Sequence, residues 1–314
     1  MAPRFRGWDR EPSQRGVLGR AHRARYESPL RPSAARFAAT QNITGPPGQP
    51  SGVITLRRPA AAWRRSGNRV LALCLVELQK LRHDRKELYT RAIQPALWLL
   101  IFGETFSRLH AIPTSVPYLD YLAPGILAQS VLFISIFYGI QIIWERDAGV
   151  LAKLMATPTP RFALVAGKAF AAGVRALVQG VVVLVLAAVL GVALTDNPLR
   201  LLAVAAVVIL SAAFFATLSI VLAGIVLSRE RLMGIGQAIT MPLFFASNAL
   251  YPVALMPVWV RAISRVNPLS YEVNALRGLL LDRPAAVGTD LAVLVFAAGL
   301  GITVASALLP RLTR

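Results

Sequence analysis

The side chains that could bind a metal ion are few and widely separated in this chain of 314 residues. The histidines are His22, His83 and His110, and the single cysteine is Cys74. Zinc sites combine Cys and His ligands at short spacings, and one cysteine cannot form an intramolecular disulfide. The sequence therefore predicts no metal centre and no cofactor, and it favours Cys74 as a small buried residue.

The segment most similar to a phosphate-binding loop is Ala166-Gly167-Lys168-Ala169. A P-loop needs a glycine five residues before its Gly-Lys pair and a Ser or Thr after the lysine, but Phe162 and Ala169 occupy those positions. The chain also has no Gly-x-Ser-x-Gly segment, and its carboxylates are scattered over different loops. These patterns predict a protein that is not an enzyme.

The composition is that of a membrane protein. Hydrophobic residues make up 55% of the chain and charged residues only 16%, whereas soluble domains average about 25% charged. Apolar runs of about 18 residues or more indicate transmembrane helices. We predict an all-α integral membrane protein with six transmembrane helices, at 92 to 107, 121 to 144, 176 to 195, 201 to 228, 232 to 260 and 291 to 310.

Two of these segments are longer than a simple span. No proline interrupts the chain from Arg161 to Leu194, so the third helix is expected to reach about 50 Å and to extend beyond the bilayer. Lys168 and Arg175 share one face of that extension, where they could contact a headgroup or a gate, although snorkelling of the side chains is favoured. The predicted extension lies on the same side of the membrane as the N-terminus.

The fifth run, 232 to 260, contains Pro242, Pro252 and Pro257 and a polar Ser247-Asn248 pair. It predicts a helix to about Leu250, followed by short re-entrant helices on the outer side. Irregular backbone at membrane depth is stable only against protein or a wet cavity. This region is therefore expected near a substrate route.

Residues 1–66 are rich in Arg, Pro, Ser and Gly and show no apolar period, which predicts a disordered basic tail. Residues 1–91 carry nineteen basic and six acidic side chains. This excess of positive charge could bind anionic lipid or nucleic acid. A solvated tail is favoured, and no nucleic-acid partner is expected. From Val70 to Leu88, apolar residues at helical spacing predict an amphipathic helix on the membrane surface.

Basic residues near the ends of the spans predict the orientation. Fourteen Lys and Arg lie on the side of the N-terminus, and six lie on the other side. Cytoplasmic loops carry the excess of these residues. An even number of spans places both termini on one side, so both termini are predicted to be cytoplasmic.

Glu104 is the one carboxylate within a predicted span. A charge at that depth is often a proton or cation site. Arg108 follows one helical turn later, so an interfacial ion pair is the favoured interpretation.

The segment from Trp144 to Arg161 predicts a short cytoplasmic helix that ends at Pro158. Its apolar residues form one stripe that needs a cover from lipid, from the protein's own third helix or from a groove on a partner. The stripe consists of Val150, Leu151, Leu154 and Met155.

Three stretches in order resemble the ABC-2 type permeases of bacterial ABC transporters, the group that includes daunorubicin-resistance and nodulation exporters. Gln94 to Gly103 is similar to that family's first span, and Glu145 to Leu151 leading to Ala156-Thr157-Pro158 resembles its first cytoplasmic loop. The outer loop after the fifth span is similar at Tyr251, Pro252, Pro257, Asn267, Pro268, Tyr271 and Arg277.

The resemblance implies a transmembrane domain at 67–314 in the bacterial inner membrane, paired with a second permease copy. It also implies a separate ATP-binding subunit, which would hydrolyse ATP and contact the cytoplasmic loop. The expected contact residues are Glu145, Arg146, Asp147, Gly149, Val150, Leu151, Leu154, Thr157 and Pro158.

The predicted function is export of a lipophilic drug, antibiotic or lipid-like substrate. Export of a polysaccharide or lipid-linked glycan is an alternative, and so is secondary active transport. A membrane enzyme is a further alternative, for which the spans offer only hydroxyls and the amides Gln129, Gln141, Gln179, Gln237 and Asn248.

Overall fold

The long apolar runs form helices, because a helix satisfies the hydrogen bonds of its own backbone where water is excluded. A computed structural model describes residues 93–109, 116–156, 160–282 and 286–313, together with Leu75. All of them belong to one unit, Arg57–Arg314. Within these ranges the elements are helices and connecting turns, without a strand. The predicted all-α fold class is confirmed.

We number the described helices in chain order. Helix α1, Glu104–Leu109, directly follows a π-helical segment, Trp98–Gly103. The others are α2 (Tyr118–Asp147), α3 (Val150–Met155), α4 (Arg161–Val189), α5 (Pro198–Val226), α6 (Arg229–Phe245), α7 (Val258–Val266), α8 (Pro268–Leu280) and α9 (Val287–Leu308), with 3-10 turns at Val253–Leu255 and Leu309–Thr313.

Four helices are long and apolar enough to cross a membrane. They are α2, α4, α5 and α9 with its continuation to Leu312. The other two predicted spans are shorter or interrupted: α6 has 17 residues, about 25 Å, and residues 93–109 change to π-helical geometry at Trp98. The count of six spans therefore stays a prediction.

The N-terminal predictions lie outside the described residues. This applies to the tail at 1–66 and to the surface helix from Val70 to Leu88, of which only Leu75 is described. Leu75 is helical and exposed.

Helix α4 ends earlier than its apolar pattern suggested. It stops at Val189, and Gly191 adopts a left-handed φ of +83°. A residue in that conformation commonly terminates a helix, and glycine adopts it without steric cost. The predicted continuation to Leu194 is wrong, but 29 residues still extend about 43 Å, beyond a hydrocarbon layer of about 30 Å.

Helix α6 also ends before its predicted terminus at Leu250. It stops at Phe245, where the Ala246 N–H donates to the Pro242 carbonyl oxygen at 2.8 Å. The Ser247 hydroxyl then donates to the Phe244 carbonyl oxygen at 2.7 Å and stabilises a turn. The short helices α7 and α8 follow this turn, and their re-entrant position on the outer side stays a prediction.

Helix α5 lies in the centre of the bundle, in contact with α2, α4, α8 and α9. It approaches α2 closely at Gly139, whose backbone N–H donates to Ser219 Oγ at 3.1 Å. A Cβ atom at position 139 would lie 2.7 Å from the carbonyl oxygen of Ser219. The crossing therefore requires glycine at this position.

Candidate functional site

A glycine reverses the chain between α2 and α3. The Ala148 N–H donates to the Trp144 carbonyl oxygen and the Gly149 N–H to that of Arg146, both at 2.9 Å. Gly149 then adopts a left-handed φ of +70° and begins α3. The predicted short helix is present, and we call the end of the bundle that carries it the α3 end.

The apolar stripe of α3 is covered largely by the protein itself. Leu151 is fully buried in a cluster that includes Ile142 of α2 and Leu164 of α4. Leu154 and Met155 are half-buried against the same cluster. Val150 remains 42% exposed. The protein's own helices thus supply most of the cover, and Val150 is left for another surface.

A nearly buried ion pair connects α2 to α4 at this end. Lys168 Nζ donates to a carboxylate oxygen of Glu145, and the two side chains are 5% and 18% exposed. The preference for snorkelling at Lys168 is therefore wrong. Its charge is neutralised by a neighbouring helix, and removal of one member of such a pair is strongly destabilising.

Asp147 joins the end of α2 to the start of α6. Its Oδ2 accepts from Arg229 Nη2 at 2.5 Å, and its Oδ1 accepts from Arg146 Nη2 at 2.8 Å. Arg146 Nη2 also donates to the Leu227 carbonyl oxygen at 2.9 Å. The Arg229 guanidinium lies 3.9 Å from the ring centroid of Trp144, a cation–π contact. We call Trp144, Arg146, Asp147, Leu227 and Arg229 the α2–α6 junction.

The structure thus brings together most of the residues predicted to contact an ATP-binding subunit. Thr157 and Pro158 lie outside the described residues. Sequence reasoning missed Arg229, because its pairing with a residue 82 positions earlier leaves no local pattern. Its only signal was a positive charge at a helix start, where the helix dipole disfavours it.

The second predicted group occupies turns and helix starts rather than one pocket. Pro252 and Pro257 precede the 3-10 turn and α7. Asn267 caps α8, accepting from the Leu269 N–H at 3.0 Å and donating to the Leu243 carbonyl oxygen at 2.7 Å, with Pro268 at the first helical position.

Two tyrosines of the same group hold nearby backbone. The Tyr251 hydroxyl donates to the Phe245 carbonyl oxygen at 2.5 Å, and the Tyr271 hydroxyl donates to that of Arg265 at 2.6 Å. These contacts position the segment between α6 and α8.

Arg277 connects α8 to α2 and to the turn after α6. Its Nη2 donates to the carbonyl oxygens of Tyr121 at 3.2 Å and Asn248 at 3.1 Å, and its guanidinium lies 3.7 Å from the Tyr121 ring centroid. The Tyr118 hydroxyl adds a bond of 3.1 Å to the Leu250 carbonyl oxygen. These contacts make Arg277 a structural residue at the end opposite α3.

Glu104 and Glu272 bear on the alternative of secondary active transport, because intramembrane carboxylates can carry protons or cations. Glu104 begins α1 with an exposed side chain, and the side chain of Arg108 is outside the described part of the chain. Glu272 is fully buried, and the hydroxyl of Ser211 on α5 is its polar neighbour among the described residues. Sequence reasoning overlooked Glu272, because its segment looked like an outer loop rather than a buried helix.

Three elements border a cavity of about 240 Å³: helix α2, helix α4 and the segment that begins at Ile93. Three amides, a hydroxyl and two aromatic rings supply much of its lining: Gln94, Gln129, Gln179, Ser130, Phe133 and Phe137. No charged side chain lines this cavity within the part of the chain that the structure describes.

Comparison with known proteins is consistent with this arrangement. The family model for the ABC-2 type transporter matches residues 68–281. The ycf38 protein of Cyanophora paradoxa, named as a transport permease, is 30% identical over 191 residues, which cover 60% of this chain and 65% of the relative. The daunorubicin resistance ABC transporter permease protein DrrB1 of Streptomyces coeruleorubidus is 27% identical over 204 residues, covering 65% and 71%.

Nodulation protein J of Sinorhizobium fredii is 26% identical over 171 residues, covering 54% of this chain and 64% of the relative. The chain thus spans slightly less than two thirds of the length of several relatives. The family model covers more than half of the chain, so the predicted resemblance to this family is confirmed. The chain belongs to the ABC-2 type transporter family.

Proposed function

We propose that this chain is the transmembrane subunit of an ATP-driven exporter, with ATP hydrolysis in a separate subunit. The family supports a membrane transport role, and the name of one relative describes a drug-resistance ABC transporter permease. The observation that carries the proposal is α3, a short helix that is rooted in the bundle by Leu151 and leaves Val150 exposed.

The α3 end is the cytoplasmic end in this proposal, with both termini on that side of a bacterial inner membrane. Six spans then result if residues 92 to 107 and α6 with the turn that follows it also cross the bilayer. Helices α7 and α8 would be the re-entrant outer helices. A second permease copy completes the membrane part of the transporter.

Force would pass from the ATP-binding subunit into the bundle through the contacts around α3. The ion pair of Glu145 with Lys168 links α2 to α4, and Asp147 with Arg229 links α2 to α6. A displacement of α3 would therefore move several helices together. ATP binding would shift the bundle between inward-facing and outward-facing states.

The proposed cargo is a lipophilic drug, antibiotic or lipid-like compound. The uncharged lining of the cavity supports this class. A polysaccharide or lipid-linked glycan is the alternative cargo, and nodulation protein J is named for a different process from the drug-resistance relative.

Co-purification tests the proposal. Tagged chain extracted from its host in mild detergent should bring down an ATP-binding chain. Val150→Glu should reduce that recovery at least about tenfold, because it places a charge on the exposed apolar position of α3. Leu199→Glu is the matched control, since Leu199 is 74% exposed at the start of α5. ATP hydrolysis or export by the purified chain alone would contradict the proposal.

The buried Glu272 favours one second candidate, secondary active transport. An intramembrane carboxylate is a common carrier of protons or cations. In that case the chain alone, in vesicles with an imposed proton gradient, would move substrate, and Glu272→Gln would abolish this movement. The ATP-driven proposal predicts no transport in those vesicles with either protein.

A further inference from the structure

We propose that the cavity between the segment beginning at Ile93, α2 and α4 is a binding site for a neutral aromatic compound with hydroxyl or carbonyl groups. The inference rests on the proposed export function and specifies a substrate class for it. Four observations on the described lining residues support it. Two amides lack hydrogen-bonding partners, two aromatic rings line the cavity, none of these side chains is charged, and the volume suits a small ring system.

The amides of the cavity have unused hydrogen-bonding capacity. Gln129 and Gln179 are each 2% exposed. Among the described residues, neither Nε2 nor Oε1 of Gln179 has a hydrogen-bonding partner, and neither does Nε2 of Gln129. Buried amides without partners are unfavourable, and native structures keep them rarely. A ligand that both donates and accepts hydrogen bonds would satisfy these groups.

The two amides lie at similar depths, although they belong to different helices. Gln129 follows the first residue of α2, Tyr118, by 11 positions, and Gln179 precedes the last residue of α4, Val189, by 10. At 1.5 Å per residue both are about 15 to 17 Å from the same end of the bundle. Placing that end of the bundle at the membrane surface puts both amides near the middle of a hydrocarbon layer of about 30 Å.

The aromatic side chains of the lining indicate that the ligand carries a flat ring beside its polar groups. Phe133 and Phe137 are one turn apart on α2, with ring centroids 6.3 Å apart and an interplanar angle of 24°. Their faces offer offset-stacking and edge contacts to a further flat ring. Because none of the described lining side chains is charged, a charged ligand would lose its hydration without compensation.

The volume of the cavity accommodates about two fused rings. An engineered protein cavity of about 150 Å³ holds benzene, and this cavity measures about 240 Å³. A bicyclic aromatic group with one or two oxygen substituents fits that space. A larger molecule would place only its aromatic part between Gln129 and Gln179.

The test uses the full chain in lipid nanodiscs, with 2-naphthol as the probe and naphthalene as its partner without the hydroxyl. Equilibrium dialysis against empty nanodiscs, read by fluorescence, removes the contribution of the lipid. We expect saturable binding of about one 2-naphthol per chain. Naphthalene should bind at least about fivefold more weakly, because it leaves the amides unpaired.

Variants then test the residues. The double variant Gln129→Leu with Gln179→Leu should weaken 2-naphthol binding by about tenfold or more and leave naphthalene binding unchanged or stronger. Leucine fills similar space without an unpaired amide, so this variant is expected to fold. Phe137→Ala should weaken binding of both probes. Gln237→Leu is the matched control, because Gln237 is exposed on α6 outside the cavity.

Three results would overturn the inference: no saturable 2-naphthol binding, equal binding of the two probes, or binding that the double variant leaves intact. Each of these is separate from the proposed function. A chain that binds an ATP-binding subunit but not 2-naphthol retains the export proposal and loses this site. A chain that binds 2-naphthol in the predicted way without such a subunit retains the site and loses the export proposal.

Discussion

Lys168 of α4 and Glu145 of α2 form an ion pair whose members are 23 positions apart in the sequence and only 5% and 18% exposed. The pair lies just before the turn to α3. Its two charges are shielded from solvent and neutralise each other, so the pair fixes the relation between α2 and α4 where α3 begins.

Glu145→Gln should destabilise the protein by about 3 kcal/mol, because it leaves the buried Lys168 ammonium without a counter-charge. Thermal unfolding in detergent measures the loss. Lys153→Met is the matched control, since Lys153 is exposed on α3 and should change stability by less than about 0.5 kcal/mol.

The double variant Glu145→Leu with Lys168→Met should recover most of the stability, because an apolar pair can replace a buried ion pair at little cost. If Glu145→Gln unfolds at the wild-type temperature, the ion pair does not stabilise the bundle. If the double variant is less stable than Glu145→Gln, the penalty does not come from an unpaired charge.

This pair also illustrates what sequence can predict. The apolar runs predicted α2, α4, α5 and α9, because membrane helices need continuous hydrophobicity. The charges and prolines around Gly149 predicted the short helix α3. The contact of Lys168 with Glu145 depends on how two helices are rotated against each other. No local pattern encodes that rotation.

Local turns of the backbone explain why two helices end earlier than the sequence predicted. A single left-handed residue, Gly191, ends α4 inside an unbroken apolar run. Helix α6 ends at Phe245 because of a turn stabilised by Ser247. The lining of the cavity was equally hidden, since Gln129 and Gln179 approach each other only when α2 packs against α4. The residues expected in the outer loop form helix caps and backbone contacts in the structure, and their place in an outer loop stays a prediction.

The α2–α6 junction should matter for transport more than for stability. Asp147 and Arg229 are each 35% exposed, and exposed ion pairs contribute less than about 1 kcal/mol. The free energy of unfolding of Arg229→Ala should therefore lie within about 1 kcal/mol of the wild-type value. In the proposed complex with an ATP-binding subunit, ATP hydrolysis should continue while substrate export falls severalfold, because α6 no longer follows α2.

Arg231→Ala provides the control for this prediction. Arg231 is exposed two positions further along α6, and its removal should leave both activities near wild type. Equal export by the Arg229→Ala and Arg231→Ala complexes would show that the junction does not transmit force.

Gly139→Ala should destabilise the crossing of α2 and α5. The added Cβ would lie 2.7 Å from the Ser219 carbonyl oxygen, which cannot move without the backbone of α5. Overpacking of this kind costs about 1 to 3 kcal/mol. Gly234→Ala in α6 is the control, because nothing lies within 4 Å of its added Cβ, and it should leave stability unchanged or raise it by up to about 1 kcal/mol. Equal unfolding temperatures for the two variants would refute the close approach.

The proposed orientation can be tested with single cysteines in a Cys74→Ser background. Val150→Cys at the α3 end and Val258→Cys at the start of α7 introduce thiols at positions that are 42% and 81% exposed. A membrane-impermeant maleimide applied to intact cells should label only Val258→Cys, and both should react after the cells are opened. Labelling of Val150→Cys in intact cells would place the α3 end outside the cell and contradict the proposed orientation.

Arg277→Lys should weaken the end of the bundle opposite α3, even though the charge is kept. The Arg277 guanidinium donates to two carbonyl oxygens and lies on the Tyr121 ring at once. A lysine ammonium lacks the planar group that combines these contacts. We expect a loss of about 1 to 2 kcal/mol in thermal unfolding, and little change for Arg265→Lys, whose side chain is exposed on α7. If the two substitutions have equal effects, charge alone accounts for Arg277 and its stacked geometry does not contribute.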